Sequence, residues 1–231
     1  MKPCSLTALI LAASLGAGTA QAGIITVDTT PSWNGSDVVY PWGHNGVTQT
    51  YGQTVTAPAY ASGLKSFSFV IQDLNDIANV GVAGPIKYQA YVYEWDSINV
   101  QPTEPALFQS VVQQTPGTNT RDFLTLSFST PGTVLVGGNQ YVLFLTTDGI
   151  ANPPDGNTAW AFPFADVYSG GQFQFLNDSN GFWEDSSAFG SPAGSDLVFA
   201  AAFKVPEPGT LALLGAGLAG FAASRRRKAK S

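Results

Sequence analysis

Residues 63–71 read GLKSFSFVI, and this stretch decides the fold class. Its large apolar side chains Phe67, Phe69 and Ile71 alternate with the polar Ser66 and Ser68. Side chains of a β-strand point alternately to its two faces, so the pattern predicts a strand with one face on a core and the other in water. A helix would instead place its apolar residues three or four positions apart.

The same alternation recurs through residues 23–203, between clusters of Gly, Pro, Asn and Asp. Its large residues are Leu124, Leu126 and Phe128, then Phe173 and Phe175, then Leu197, Phe199, Ala201 and Phe203. Residues 140–147 (QYVLFLTT) are apolar on both faces, which is typical of a central strand covered on both sides and places Phe144 in the core. Further strands are expected at 24–28, 53–57, 86–95, 106–112 and 158–164.

These patterns predict an all-β domain over residues 23–203. Nine to eleven strands with turns between them favour an antiparallel two-sheet β-sandwich, with a jelly roll as the expected variant. No stretch outside the two chain ends has a helical periodicity.

The N-terminal residues 1–22 have the features of a secretory signal peptide. Lys2 precedes an apolar run over 6–20, and Ala20 and Ala22 are the small residues that a signal peptidase reads. Cys4 precedes the apolar run, so it cannot accept a lipoprotein anchor and is expected to leave with the signal. Because Cys4 is the only cysteine, the exported domain can have no disulfide and no thiolate metal site.

The C-terminal residues 204–231 have three successive parts. Pro206-Glu207-Pro208 is followed by an apolar Gly/Ala/Leu run over 209–223, which is expected to form a short transmembrane helix. A basic tail follows, consisting of Arg225, Arg226, Arg227, Lys228 and Lys230. Cations that follow a membrane helix stay cytoplasmic, so the domain is expected outside the inner membrane and the tail inside. A plain membrane anchor is the alternative interpretation.

The order Pro-Glu-Pro, apolar run and arginine cluster resembles the PEP-CTERM sorting signal of Gram-negative bacteria that make exopolysaccharide. The resemblance implies processing by an exosortase near Pro-Glu-Pro, and a final location in the cell envelope, at the cell surface or in the extracellular matrix. The phrases YQAYVYEWD, NQYVLFLTT and DLVFAAAF also resemble the exported sandwich of many PEP-CTERM proteins. Such sandwiches look like lectin or galactose-binding domains in fold.

The charge of the exported domain limits its partners. Residues 23–203 contain three cations, Lys65, Lys87 and Arg121, against fifteen acids, which gives a net charge of −12. This balance argues against nucleic acid and against anionic lipid as partners of the domain. The domain is expected to have no cofactor. A structural calcium ion is the alternative, because Asp and Asn recur in the loops at 73–76, 148–155 and 177–181. The metal ligands are left unassigned.

The sequence offers few residues with the spacing that a catalytic site would need. His44 is the only histidine, and it precedes an Asn-Gly pair that is typical of a hairpin turn. Glu94 with Asp96, or Glu184 with Asp185, could supply the two carboxylates of a secreted polysaccharide hydrolase. Both pairs are more simply explained as acids at strand ends, so no catalytic residue is assigned and a non-enzymatic protein is expected.

Aromatic residues are the strongest indication of a ligand. In residues 86–95, the core face is expected to hold Ile86, Tyr88, Ala90 and Val92, and the opposite face Tyr91, Tyr93 and Trp95. Trp183, Trp42 and Trp33 lie in stretches rich in Gly, Pro and Asn, and we expect them to stack on sugar rings, with Trp183 as the first candidate. The alternative is that these rings pack against loops or fill the ends of the sandwich. The resulting hypothesis is an exported structural or carbohydrate-binding component of an exopolysaccharide layer.

Overall fold

A computed structural model of the protein describes residues 23–44, 48–72, 85–117, 121–151, 156–177, 181–206 and 215–217. The signal peptide with Ala20 and Ala22, the motif residues Glu207 and Pro208, most of the apolar run and the basic tail Arg225–Lys230 lie outside these residues. Ala22–Pro206 forms one compact unit. Residues 215–217, in the apolar run, are helical.

In its described residues the compact unit is all-β, with thirteen strands and two short 3₁₀ turns. In chain order the strands are β1 (Gly23–Asp28), β2 (Val38–Gly43), β3 (Thr50–Thr56), β4 (Gly63–Gln72), β5 (Lys87–Asp96), β6 (Gln101–Gln109), β7 (Gln113–Gln114), β8 (Phe123–Ser129), β9 (Gln140–Thr146), β10 (Asn157–Ala161), β11 (Phe173–Leu176), β12 (Trp183–Asp185) and β13 (Phe199–Val205).

The strands form two antiparallel sheets that face each other as a sandwich. One sheet has the order β1-β13-β4-β10-β2, with β8 on the free side of β4. The other has the order β12-β11-β3-β9-β5-β6, with β7 beside β5. Consecutive strands repeatedly change sheets, as in β2 to β3, β3 to β4 and β4 to β5. This antiparallel sandwich confirms the predicted fold class.

The core lies between the inner faces of the two sheets and consists largely of aromatic rings. Phe69 of β4 contacts Trp160 of β10 in the same sheet. Trp160 contacts Tyr51 of β3 across the core, and Tyr51 contacts Phe173 of β11, with ring centroids between 4.9 and 5.6 Å apart. The alternation that predicted β4 is confirmed, because Phe67, Phe69 and Ile71 are all buried. Rings of this size dominate the energetics of a core, and truncating one costs about 3–5 kcal/mol.

Some strand bounds differ from the prediction for local reasons. β2 was not among the expected strands, because Trp42 lies in a stretch rich in Gly, Pro and Asn. β2 lies at the edge of its sheet, where Pro41 is tolerated. β10 ends at Ala161, before Phe162 and Pro163, instead of continuing to 164. β6 begins at Gln101, so it pairs with β5 directly after a four-residue turn.

Candidate functional site

The seven-stranded sheet carries an aromatic cluster on its outer face, away from the core. Alternation along β5 places Tyr88, Ala90 and Val92 in the core, as predicted, and therefore turns Tyr91, Tyr93 and Trp95 outward. Phe144 of the neighbouring strand β9 and Trp183 of β12 complete the set. These five residues are called the outer aromatic cluster below.

The rings of the outer aromatic cluster form a continuous surface. Phe144 stacks between Tyr91 and Tyr93, with ring centroids 5.2 and 5.6 Å apart and interplanar angles of 16° and 24°. Trp183 meets Phe144 and Trp95 edge-on, at centroid distances of 5.4 and 5.5 Å. Phe144 is buried, as predicted for a strand covered on both faces, and it packs in this second cluster instead of the main core. Phe144 is buried there because β9 lies between two neighbouring strands of the sheet.

The position of Trp183 shows that the sheet curves. β12 is separated from β5 by three strands, and at about 4.8 Å per strand a flat sheet would place the two about 19 Å apart. The Trp183 and Trp95 rings are nevertheless in contact. The sheet must therefore curl toward its outer face, so that the outer aromatic cluster lies in a concave surface.

Two clefts open on this concave surface. The first has a volume of about 350 Å³ and is lined by Trp95, Val100 and polar residues that include Thr54, Gln140, Gln172 and Gln174. The second has a volume of about 340 Å³ and is lined by Val100, Trp183, Phe182 and polar residues of the β5–β6 turn. Val100 belongs to both clefts, and the Trp95–Trp183 contact joins them.

A loop over residues 167–172 forms one wall of the first cleft, and buried hydrogen bonds hold it. The Asp196 carboxylate accepts the backbone N–H groups of Val167 and Tyr168, both at 2.8 Å, and the Gln53 amide at 2.7 Å. Burial raises the pKa of Asp196 to about 6. Gly171 is required at its position, because a Cβ there would lie 1.8 Å from the carbonyl oxygen of Thr54.

The structure separates the three tryptophans that were predicted to bind a ligand. Trp183 is half-buried beside the second cleft. Trp42 is fully buried in the main core, on β2, so the prediction that it is available to a ligand was wrong. Alternation along an edge strand turned this ring toward the core, where it meets Trp160 at 5.1 Å.

Trp33 lies on the other side of the sandwich. It packs on the outer face of the six-stranded sheet, against Phe123 at 4.6 Å and a small cluster that includes Val70 and Val198. Its indole N–H donates to the Asp37 carbonyl at 2.8 Å. Trp33 therefore cannot share a site with Trp183.

Two residues of the clefts were missed from the sequence. Phe182 is 73% exposed, which is unusual for a phenylalanine, and it lines the second cleft beside Trp183. Val100 has a φ of 52°, a left-handed conformation that a β-branched residue rarely adopts. Backbone strain of this kind often occurs at binding sites. The only signal in the sequence was the apolar character of Ile98 and Val100 in a turn otherwise made of polar residues.

The residues considered for catalysis have structural partners. Asp96 accepts hydrogen bonds from Ile98 and Asn99 in the β5–β6 turn, and the bonds from Asn99 hold its pKa below the usual range. Glu94 accepts a hydrogen bond from the Asn139 amide, and Asp185 caps the 3₁₀ turn at Ser186–Phe189. His44 is buried, 3.3 Å from the Lys87 carbonyl. Within the described ranges, no three His, Cys, Asp or Glu residues are grouped so as to hold a metal.

The end of the compact unit continues directly into the C-terminal segment. β13 ends at Val205, whose Cα partner across the sheet is Gly23 of β1, and Pro206 follows without a linker. A comparison with known families matches residues 204–227 to the family described as the PEP-CTERM protein-sorting motif. The C-terminal segment is a PEP-CTERM sorting motif. This confirms the resemblance noted from Pro206-Glu207-Pro208 and the residues after it.

The PEP-CTERM motif implies an exported protein that an exosortase sorts and processes. In the part of the chain that the structure describes, no helix has the length and apolarity needed to cross a membrane. A search of curated proteins finds no match.

Two solved structures resemble the sandwich. One contains the cysteine protease and lectin-like domains of Cwp84, a surface layer associated protein of Clostridium difficile, with a TM-score of 0.46, 16% identity, and coverage of 68% of this chain and 32% of that one. The other is the clostridial cysteine protease Cwp84 after propeptide cleavage, with a TM-score of 0.51, 14% identity, and coverage of 79% and 40%. This chain thus spans well under half of either structure. The second likeness concerns the fold alone.

Proposed function

We propose that this PEP-CTERM protein is a non-enzymatic, carbohydrate-binding component of the cell envelope or extracellular matrix, and that the outer aromatic cluster binds an exopolysaccharide. The observation that carries the proposal is the half-buried Trp183 ring, which lines the second cleft and contacts Trp95 of the first. Fixed aromatic rings beside amides and hydroxyls suit a sugar, which has apolar C–H faces and a polar rim.

The physical basis is the division of the surface into stacking and hydrogen-bonding parts. Trp183 and Phe182 offer ring faces that a sugar can cover, and Trp95 packs edge-on against Trp183. The hydrogen-bonding groups are polar side chains of the first cleft, including Thr54, Gln140 and Gln172. The rings need little reorganisation on binding, because they already pack against one another.

A secreted hydrolase, the alternative from the sequence, is less well supported. A glycosidase needs a carboxylic acid that is protonated at the working pH, and therefore a raised pKa. Asp96 has the opposite shift, and the Asp185 carboxylate is used as a cap. Asp196 has a raised pKa, but it is fully buried and bound to backbone amides of the 167–172 loop.

Export and processing complete the proposal. A signal peptidase would cut after Ala22, which would leave Gly23 at the start of β1. The apolar run over 209–223 would hold the precursor in the inner membrane, with Arg225 to Lys230 in the cytoplasm, until an exosortase cuts near Pro206-Glu207-Pro208. No cofactor is proposed. Residues 73–76, 152–155 and 178–180, in the three loops considered for calcium, lie outside the described residues, so a structural calcium ion stays a prediction.

A glycan array probed with the purified full-length chain, in a detergent that has no sugar headgroup, tests the proposed function. We expect binding that Trp183→Ala weakens about tenfold, since a desolvated aromatic contact contributes about 1–2 kcal/mol. The matched control is Trp33→Ala, which removes a half-buried tryptophan from the opposite sheet and should leave binding unchanged. Arrays run with calcium and with a chelator would reveal any need for the metal.

Three outcomes would contradict the proposal. The first is no binding to any glycan by the wild-type chain. The second is an equal effect of Trp33→Ala and Trp183→Ala. The third is a loss of thermal stability in Trp183→Ala as large as that in Trp42→Ala, which would make Trp183 a core residue.

A further inference from the structure

We infer that the two clefts hold consecutive units of an uncharged polysaccharide chain, and that Gln174 Oε1 accepts a hydrogen bond from one of its hydroxyls. This inference rests on the proposed carbohydrate-binding function and adds the chemical class of the glycan. It also names a residue that selects it. Neither Gln174 nor the class of sugar was assigned from the sequence.

Gln174 carries the first part of the argument. It lies on β11 on the outer face of the sheet, is 2% exposed, and lines the first cleft. Its side-chain Oε1 is buried and has no hydrogen-bond donor among the residues that the structure describes. A buried acceptor without a donor costs about 1–3 kcal/mol, so native proteins rarely keep one without a reason. A sugar hydroxyl in the cleft supplies the missing donor.

The charge of the clefts carries the second part. Every described residue that lines either cleft is uncharged, and the hydrogen-bonding groups are hydroxyls, amides and backbone groups. The domain around them has three cations against fifteen acids. An acidic polysaccharide would bring carboxylates to a negatively charged domain, with no cation among the described residues that line the clefts, and this repulsion would disfavour it. A neutral chain meets no such penalty.

The arrangement of the clefts carries the third part. Their volumes of about 350 and 340 Å³ are in the range of small-molecule sites, and they share Val100 as a common wall. Trp95 lines one cleft and Trp183 the other, with the rings in contact. Two adjoining and similar clefts fit two linked sugars of one chain better than one isolated monosaccharide. Affinity should therefore increase from a monosaccharide to a short oligosaccharide.

The experiment compares neutral and uronic-acid oligosaccharides of equal length, by calorimetric titration of the full-length chain in the same detergent. Neutral gluco-, galacto- and manno-oligosaccharides are the first probes, and oligogalacturonate is the acidic probe. We expect at least one neutral series to bind, with an affinity at least tenfold above that for the acidic probe. The trisaccharide should bind more tightly than its monosaccharide.

Gln174→Met tests the named residue, because it keeps the side-chain length and removes the buried oxygen. We expect about tenfold weaker binding of the neutral oligosaccharide, with a thermal midpoint equal to or above that of the wild type. The matched control is Gln49→Met. Gln49 Oε1 is also buried without a partner in the described part of the chain, but Gln49 lines neither cleft, so binding should be unchanged.

Gln140→Lys is a second test variant, for which a gain of affinity is expected instead of a loss. It places a cation at a partly exposed position of the first cleft and should increase the affinity for oligogalacturonate. Equal or tighter binding of the acidic probe by the wild type would overturn the inference while leaving the proposed function intact. Wild-type affinity in Gln174→Met would overturn the role of Gln174. No binding of either probe class would contradict the proposed function itself.

Discussion

Asp196 connects the buried interior with the first cleft through a few hydrogen bonds. Its carboxylate binds Gln53, whose own Oε1 accepts the Leu197 N–H at 2.9 Å, and it holds Val167 and Tyr168 at the start of the loop over 167–172. The position of this loop fixes the residues that wall the cleft. One buried acid thus supports the shape of the proposed binding surface.

The raised pKa of Asp196 predicts a pH dependence of stability. A carboxyl whose pKa is higher in the folded state, here about 6 against about 3.9 in an unfolded chain, binds its proton more tightly when folded. The stability from this proton is present below about pH 4 and is lost as the pH rises through about 6. Urea unfolding of wild type and Asp196→Asn, at several pH values, should show a steeper decline in the wild type.

The slope of the unfolding free energy against pH distinguishes titration of Asp196 from a general loss of stability in the variant. Asp196→Asn is expected to lower stability at every pH, because the Asn amide N–H₂ would face the Gln53 amide, and both are donors. Its slope between pH 4 and 6 should nevertheless be flatter. Asp166→Asn, which removes an exposed carboxylate that contributes only a minor part of the Asp196 shift, should keep most of the wild-type slope. Parallel curves for wild type and Asp196→Asn would rule out this titration.

At the scale of the elements, the first and last strands hold each other in register. β1 pairs with β13 along its whole length, from Gly23 opposite Val205 to Asp28 opposite Ala200. Thr29, directly after β1, is buried; its hydroxyl donates to the Leu197 carbonyl at 2.9 Å and accepts the Phe199 N–H at 2.8 Å. This single side chain attaches the end of β1 to the start of β13.

Thr29→Val should therefore weaken the terminal pair of strands. It keeps the shape of the side chain and leaves the Phe199 N–H without its hydroxyl acceptor, so we expect a loss of about 1–3 kcal/mol in the free energy of unfolding. Thr26→Val, at an exposed position on the same strand, should change stability by less than about 0.5 kcal/mol. Chemical denaturation of both variants is the measurement. Similar midpoints for the two would show that the Thr29 hydroxyl does not attach β1.

At the scale of the whole molecule, the sorting motif starts inside the folded domain. The PEP-CTERM match begins at Lys204, within β13, and Pro206 follows the last residue of that strand. A proline cannot donate to the ladder, so it ends the strand at this point. An exosortase would therefore have to act C-terminal to a paired strand.

Replacing Pro206, Glu207 and Pro208 with alanine should abolish processing. We expect the wild-type protein to lose the segment from about residue 209 onward, and to have a mass well below that of the signal-cleaved precursor. The triple-alanine variant should stay in the membrane fraction at the precursor mass, whereas Pro31→Ala, an exposed proline of the domain, should be processed normally. Mass spectrometry of secreted and membrane fractions distinguishes these results. Normal processing of the triple variant would leave the segment as a plain anchor.

The candidate site was predicted from the sequence only in part. Alternation along β5 correctly separated Tyr88, Ala90 and Val92 from Tyr91, Tyr93 and Trp95, because a strand has only two faces. It could not show that Phe144 covers the outer face, or that Trp183 reaches across three strands to meet Trp95. Those contacts depend on the order of the strands and on the curvature of the sheet. Neither can be predicted from the local alternation of apolar and polar residues.

The sequence alone therefore determined two properties of this protein. Its period-two pattern specified antiparallel strands and a sandwich, because each half-buried strand must find a core for one face. Its C-terminal motif specified sorting, because the order of residues is itself the signal. Only the tertiary structure decided that Trp42 is buried, that Trp33 lies on the opposite sheet, and that Gln174 lines a cleft. A face of a strand is buried or exposed according to what packs over it. The residues that pack over it come from distant parts of the chain.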